Sequence, residues 1–179
     1  SMNVADERAK AQALAKQRRS ANAAALEEYF AEHPTGRWIV LTSWASTGVF
    51  VLTTVVATVV NNREARLVAA LLSLALFSLS LVLHLVALWL GAQRSRRDEM
   101  TMVGWWFLSE SAPKSTRAHL WGALLMQIVV SCVCAAIRFE TSIAFGVLVP
   151  MLGLSFLGLW GAMYGMFAPR RASTGGSVR

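Results

Sequence analysis

Four long apolar runs, each free of Asp, Glu, Lys and Arg, alternate with short polar connections along this chain. They are Trp38 to Val60, Leu67 to Leu90, Ala118 to Ile137 (closed by Arg138) and Ile143 to Phe167. A helix that crosses a bilayer needs about 20 mostly apolar residues, and each run supplies them. A helix on the surface of a soluble protein shows one apolar stripe opposite a charged face. These runs are uncharged on every face, and too little chain remains to cover four such helices in water. The pattern therefore predicts an all-α polytopic membrane protein. Its transmembrane domain covers 38–167, with spans at about 38–60, 67–90, 118–137 and 143–167.

The connections set the topology. Asn61–Arg66 and Arg138–Ser142 are very short, and short connections force neighbouring helices antiparallel. The spans should form two hairpins joined by an interfacial loop over 91–117. Arg8, Lys10, Lys16, Arg18, Arg19 and Arg37 precede the first span, and Arg94, Arg96, Arg97, Lys114 and Arg117 lie in the central loop. Arg170, Arg171 and Arg179 follow the last span, whereas the two short loops hold only Arg63, Arg66 and Arg138. Basic residues are retained on the cytoplasmic side. The division, fourteen against three, places both termini and the 91–117 loop there.

Composition agrees. Of 179 residues, 55% are hydrophobic and 15% charged, where a soluble domain carries roughly 25% charged. The formal charge of +7 sits beside apolar runs, where it meets anionic lipid and points to no nucleic-acid partner. The excess of Arg over Lys, with abundant Ala and Val, fits the coding bias of a GC-rich bacterium, so a bacterial plasma membrane is expected. Ser1-Met2 reads as a cleavage scar before a native start, with no secretory signal after it.

Residues 1–37 form an N-terminal cytoplasmic segment. Asp6 to Glu32 is rich in strong helix formers and lacks Pro, so it should be helical. It is basic in its first half and acidic at Glu27, Glu28 and Glu32, with a narrow apolar stripe of Leu14, Ala21, Ala25, Leu26, Tyr29 and Phe30. His33-Pro34-Thr35-Gly36 ends it. In the central loop, Trp105, Trp106 and Phe107 belong to an apolar run too short to span. They are expected as a patch in the plane of the inner interface, where Trp is favoured. Ser115 or Thr116 should cap the third span. Residues 168–179 are expected as a disordered cytoplasmic tail.

Inside the bilayer, small and polar residues recur at helical spacing: Ser43, Thr47, Thr54 and Thr58; Ser73, Ser80, His84, Ala87 and Gly91; Gln127, Ser131 and Cys134; and Gly146, Gly153, Gly161 and Gly165. Small residues let helices approach closely, and hydroxyls and amides bond between helices at about 0.6 kcal/mol each. These stripes should face inward. Gly153, Gly161 and Gly165 are candidate packing or homo-oligomer contacts, the last two as a GxxxG step. His84, Gln127, Ser80, Thr54 and Ser131 make a candidate intramembrane polar site. His84 is the one ionisable group well inside a span, so it is either a hydrogen-bonded structural imidazole or a proton-coupled one. Haem or metal ligation would need His119, which is offset along its own span. Pro150 should kink the fourth helix.

No nucleophile–base set, phosphate loop or dinucleotide fingerprint is present. Cys132 and Cys134 point about 200° apart on a helix and make neither a disulfide nor a zinc pair. No catalytic residue, metal or cofactor is expected, and the chain is not expected to be an enzyme. The leading expectation is a non-enzymatic accessory, scaffold or assembly protein, acting as a homo-oligomer or with a membrane-protein partner. The alternatives are a small oligomeric transporter or channel lined by the Ser/Thr stripes with His84 and Gln127, and a lipid-handling protein.

Overall fold

The computed structural model describes residues 4–137 and 142–170, and among these every regular element is a helix. Helix α1 covers Val4–Glu32, α2 Arg37–Val60, α3 Arg63–Arg94, α4 Met102–Trp106 and α5 Lys114–Ile137. A 3₁₀ segment, Ser142–Leu148, then leads into α6, Pro150–Tyr164. Helices α2, α3 and α5 and the stretch Ala144–Tyr164 are long and apolar enough to cross a membrane. The loop expected over 138–142 lies outside the described residues except for Ser142, and the expected tail lies outside them beyond Arg170.

Local chemistry explains most element ends. Asn61 closes α2 in the left-handed conformation at φ 50°, and its amide donates to the Ala57 carbonyl. The adjacent Asn62 opens α3, its side-chain oxygen accepting from the Ala65 amide at 2.7 Å. Two asparagines thus turn the chain, one tolerating αL and the other capping. Gly36 precedes α2 at φ 72°, and a Cβ there would lie 2.4 Å from the Trp160 ring nitrogen. Only glycine fits. The start of α5 departs from expectation. The helix begins at Lys114, so Ser115 and Thr116 lie within it and do not cap it. The cap comes from α1, where the Glu27 carboxylate accepts from the Lys114 amide at 2.7 Å.

The fourth span is broken rather than merely kinked. A 3₁₀ helix precedes Val149, and α6 begins at Pro150, which needs no hydrogen bond for its nitrogen at a first helical turn. Of the apolar stretch ending at Tyr164, 61% is buried, against 17–33% for the other three. Helix α6 is the central element. Its residues from Ser155 to Ala162 are buried on all faces, and Trp160, Leu157, Leu152 and Phe156 form the core with Ile39, Leu108 and Leu120. Helices α3 and α5 each pack on both α2 and α6. The Leu- and Val-rich outer faces of α2, α3 and α5, with Leu41, Leu52, Leu71, Leu85 and Val129, remain exposed.

At one end of the bundle, the start of α2, the end of α3, the start of α5 and the end of α6 gather under α1. Leu26 and Phe30 of α1 are buried there, Phe30 packing on Trp160 with ring centroids 5.7 Å apart. Trp38 donates its indole N–H to the Tyr164 hydroxyl at 3.1 Å. Arg94, in the last turn of α3, clamps the end of α6. Its guanidinium donates to the carbonyls of Ala162 (3.1 Å) and Gly165 (2.6 Å) and to Asp98 (2.8 Å). It also lies over the Phe167 ring at 5.3 Å. The chain beyond α6 is tied down by backbone bonds, Glu99 to Ala168, Arg170 to Arg97 and Met166 to Ser111. Residues 168–170 are therefore held against the central loop.

Arg94→Gln should lower the unfolding temperature of the detergent-solubilised protein by several degrees. It removes charge-assisted bonds worth about 2 kcal/mol or more from carbonyls that have no helical partner. Arg94→Lys should restore little of this, because a point charge cannot reach both carbonyls and Asp98 at once. A thermal melt of the three proteins checks it.

Candidate polar and aromatic centre of the bundle

The restart of the helix at Pro150 lies inside the apolar layer, and there the Leu152 amide donates to the Val149 carbonyl at 2.8 Å. Backbone polar groups in such a layer are costly unless satisfied within the protein. Gln127, fully buried on α5, supplies one acceptor: its Oε1 receives the Gly153 amide at 3.2 Å. Its Nε2 donates to the Thr47 hydroxyl of α2 at 2.7 Å, and that hydroxyl donates on to the Ser43 carbonyl at 2.7 Å. One amide side chain thus joins three helices. The approach requires Gly153, since a Cβ there would sit 2.9 Å from Oε1 and 3.1 Å from the Leu124 Cα.

A second cluster lies where α3, α4 and α6 meet. His84 stacks on Trp106, with ring centroids 4.8 Å apart and planes 29° apart. Its Nδ1 faces the buried Ser155 hydroxyl at 3.5 Å. That hydroxyl has one proton, which two carbonyls share: Met151 at 2.8 Å and Ser80 at 3.0 Å. Trp106 rests on Gly158, where a Cβ would meet its ring at 2.4 Å. Trp105 fills a slot between two spans. A Cβ at Gly91 would lie 2.2 Å from its ring, and one at Gly161 would lie 2.3 Å from its carbonyl oxygen. Its indole N–H donates to the Gly158 carbonyl at 2.8 Å.

Each candidate residue has a definite place. Ser80, Thr54, Ser131 and Gln127 are buried, and His84 is partly exposed. Ser131 and Ser80 donate to carbonyls of their own helices, and the Thr54 carbonyl accepts from Thr58. Gln127 and His84 belong to separate clusters. His119 is not brought to His84; it meets Trp44 edge-on at 6.5 Å. Among the described residues no group of three His, Cys, Asp or Glu could hold a metal. Gly153, Gly161 and Gly165 are buried against Gln127 and Leu124, against Trp105, and against Phe167 of the same chain. A second copy using the Gly161–Gly165 face would have to displace Trp105.

The aromatic patch divides. Trp105 and Trp106 pack against glycines of α3 and α6. Phe107 is exposed and stacks on Trp121 at 5.7 Å. Sequence reasoning counted Arg94 with Arg96 and Arg97 in the central loop and missed its cap on α6. It also missed the insertion of Trp105 and Trp106, for which Gly91, Gly158 and Gly161 were the available cue.

The fold defines a multi-pass membrane protein in which three apolar spans pack around a broken fourth. Beyond that class no particular family is identified: no family model matches the chain, and no curated protein or solved structure is significantly similar to it.

Two substitutions test the centre. Gln127→Leu roughly keeps the volume but removes the bonds that join α5 to Thr47 of α2 and Gly153 of α6, and should cost about 1–3 kcal/mol of stability. Gly161→Ala should destabilise the bundle and release Trp105, seen as a change in tryptophan emission. Gly48→Ala, where a Cβ meets nothing within 4 Å, should be neutral or stabilising by up to about 1 kcal/mol.

Proposed function

We propose that this chain is a non-enzymatic scaffold or assembly protein of a bacterial plasma membrane, built as two antiparallel hairpins with both termini and α1 in the cytoplasm. The observation that carries the reading is the way α1 is held. Its last turns dock on the bundle through Leu26, Glu27 and Phe30, while every residue from Asp6 to Asn22 is exposed. That arm is about 25 Å long at 1.5 Å per residue. It carries Arg8, Lys10, Lys16, Arg18 and Arg19. The arm touches the rest of the chain through one exposed ion pair, Arg19 to Glu110 at 3.2 Å, which is worth little, and an exposed helix of this length is marginal in water by itself. Association with an acidic partner surface would stabilise it, and the docked end fixes where that partner is presented.

A transporter or channel lined by His84 and Gln127 has less support, because the polar atoms of Gln127, Thr47 and Ser155 are engaged in joining helices. Lipid handling through Trp105 and Trp106 has less support for a similar reason: both rings rest on glycines of α3 and α6.

The test is the mass of the protein extracted from its own membranes in lipid particles. A complex of fixed stoichiometry, well above the 19.5 kDa chain, is expected. Reversing the arm with Arg8→Glu, Lys10→Glu and Lys16→Glu should dissolve that complex while leaving the unfolding temperature unchanged. A wild-type protein that emerges only as a monomer would sink the proposal.

A further inference from the structure

Between the ends of α3 and α6 lies a cleft of about 650 Å³, lined by Leu90, Gln93, Arg94, Arg96, Arg97, Ala162 and Met163. Its floor is apolar, from Leu90, Ala162 and Met163, and its rim holds three guanidinium groups and one amide. No carboxylate lines it. The nearest, Asp98, is already bonded to Arg94 Nε. Arg94 faces the cleft but is fixed by the α6 carbonyls. Arg96 and Arg97 are exposed, and their side chains make no hydrogen bond or ion pair among the described residues. Arg97 is nonetheless held in place, because its amide donates to Arg94 and its carbonyl accepts from the Arg170 amide. That second bond brings the basic Arg170 to the same rim.

The level of the cleft along the spans matters as much as its charge. It opens where the apolar stretch of α3 ends, one residue after Trp89, which is 62% exposed. An outward Trp at the end of a span marks the headgroup layer. Met163, on the neighbouring end of α6, is exposed and extends the apolar floor outward.

We propose that this cleft binds an anionic phospholipid. The phosphodiester would sit between Arg96 and Arg97, which present planar donor forks suited to phosphate. Gln93 would donate to the remaining headgroup oxygens. The upper acyl carbons would lie against Leu90, Ala162 and Met163. The site differs from a diffuse basic belt, because it has an apolar floor, a fixed geometry set by Arg94, and no competing acid. A free phosphate ion shares the headgroup chemistry but would leave the apolar floor unused, so the lipid is the assigned occupant. This inference is independent of the scaffold proposal, since no residue of α1 lines the cleft and it needs no protein partner.

The experiment is native mass spectrometry of the full chain equilibrated with equal phosphatidylglycerol and phosphatidylcholine. Wild-type protein should retain phosphatidylglycerol roughly ten-fold or more over phosphatidylcholine, as two lipid-facing cations would give. Arg96→Gln with Arg97→Gln should abolish that preference. Arg8→Gln with Lys10→Gln removes the same net charge far from the cleft and should leave the preference intact. Equal losses from both pairs would reduce the effect to net charge and overturn the proposal, as would no preference in the wild type. Millimolar inorganic phosphate should not displace the lipid; displacement would assign the site to a free anion instead. On the unmutated protein, phosphatidylglycerol carrying a photoreactive headgroup should label Gln93 and Met163. Labelling spread evenly over all four spans would also overturn the assignment.

Discussion

The structure depends on closing a broken helix where water cannot help. A continuous spanning helix satisfies its own backbone, but one that restarts at Pro150 needs partners for backbone groups at its beginning and at its end. Helix α6 has both needs, and it is also the element on which the others pack. Side chains from its two neighbours answer them. Gln127 of α5 accepts at the first turn, and Arg94 of α3 donates at the last. The same bonds that satisfy α6 fix the depth of α3 and α5 against it.

Close approach follows from that clamp. Glycines on α3 and α6 make a slot into which Trp105 inserts, while Trp106 wedges between His84 and Gly158. The central loop is thereby part of the bundle core. Backbone bonds from Met166, Ala168 and Arg170 then hold the chain after α6 against that loop. Helix α1 joins the same assembly through the Glu27 cap on α5 and the burial of Leu26 and Phe30. One end of the molecule is therefore densely cross-linked, and it is also the end that carries most of the basic groups. The proposed partner arm and the proposed lipid cleft both depend on that rigidity, because each places its cations at a fixed position relative to the bilayer.

Helix existence was legible because hydrophobicity is a local property. Four runs of about 20 uncharged residues leave few alternatives, and the Asn61-Asn62 turn follows from what asparagine does at helix ends. The residues that form the polar centre were legible as candidates, since Gln127 and His84 stand out against apolar neighbours. Their grouping was not. Gln127 finds Thr47 at a separation of 80 positions and Gly153 at 26, and nothing in the spacing along one helix reports such distances. The glycine stripe of the fourth span suggested a contact surface, yet which body fills it depends on where the central loop folds.

What the sequence determined by itself is the all-helical, membrane-spanning class, the inventory of spans and the short polar inventory within them. These follow from transfer free energies and helix geometry, which act residue by residue. What only the tertiary structure decided is that α6 is the centre, that Gln127 and Arg94 bond to its two ends, that Trp105 and Trp106 occupy the glycine slots, and that the side chains of Arg96 and Arg97 stand over an apolar cleft without a partner among the described residues. Those outcomes arise from packing and mutual satisfaction of polar groups between distant segments. Such interactions depend on which surfaces meet, and a linear pattern of hydrophobicity does not encode that.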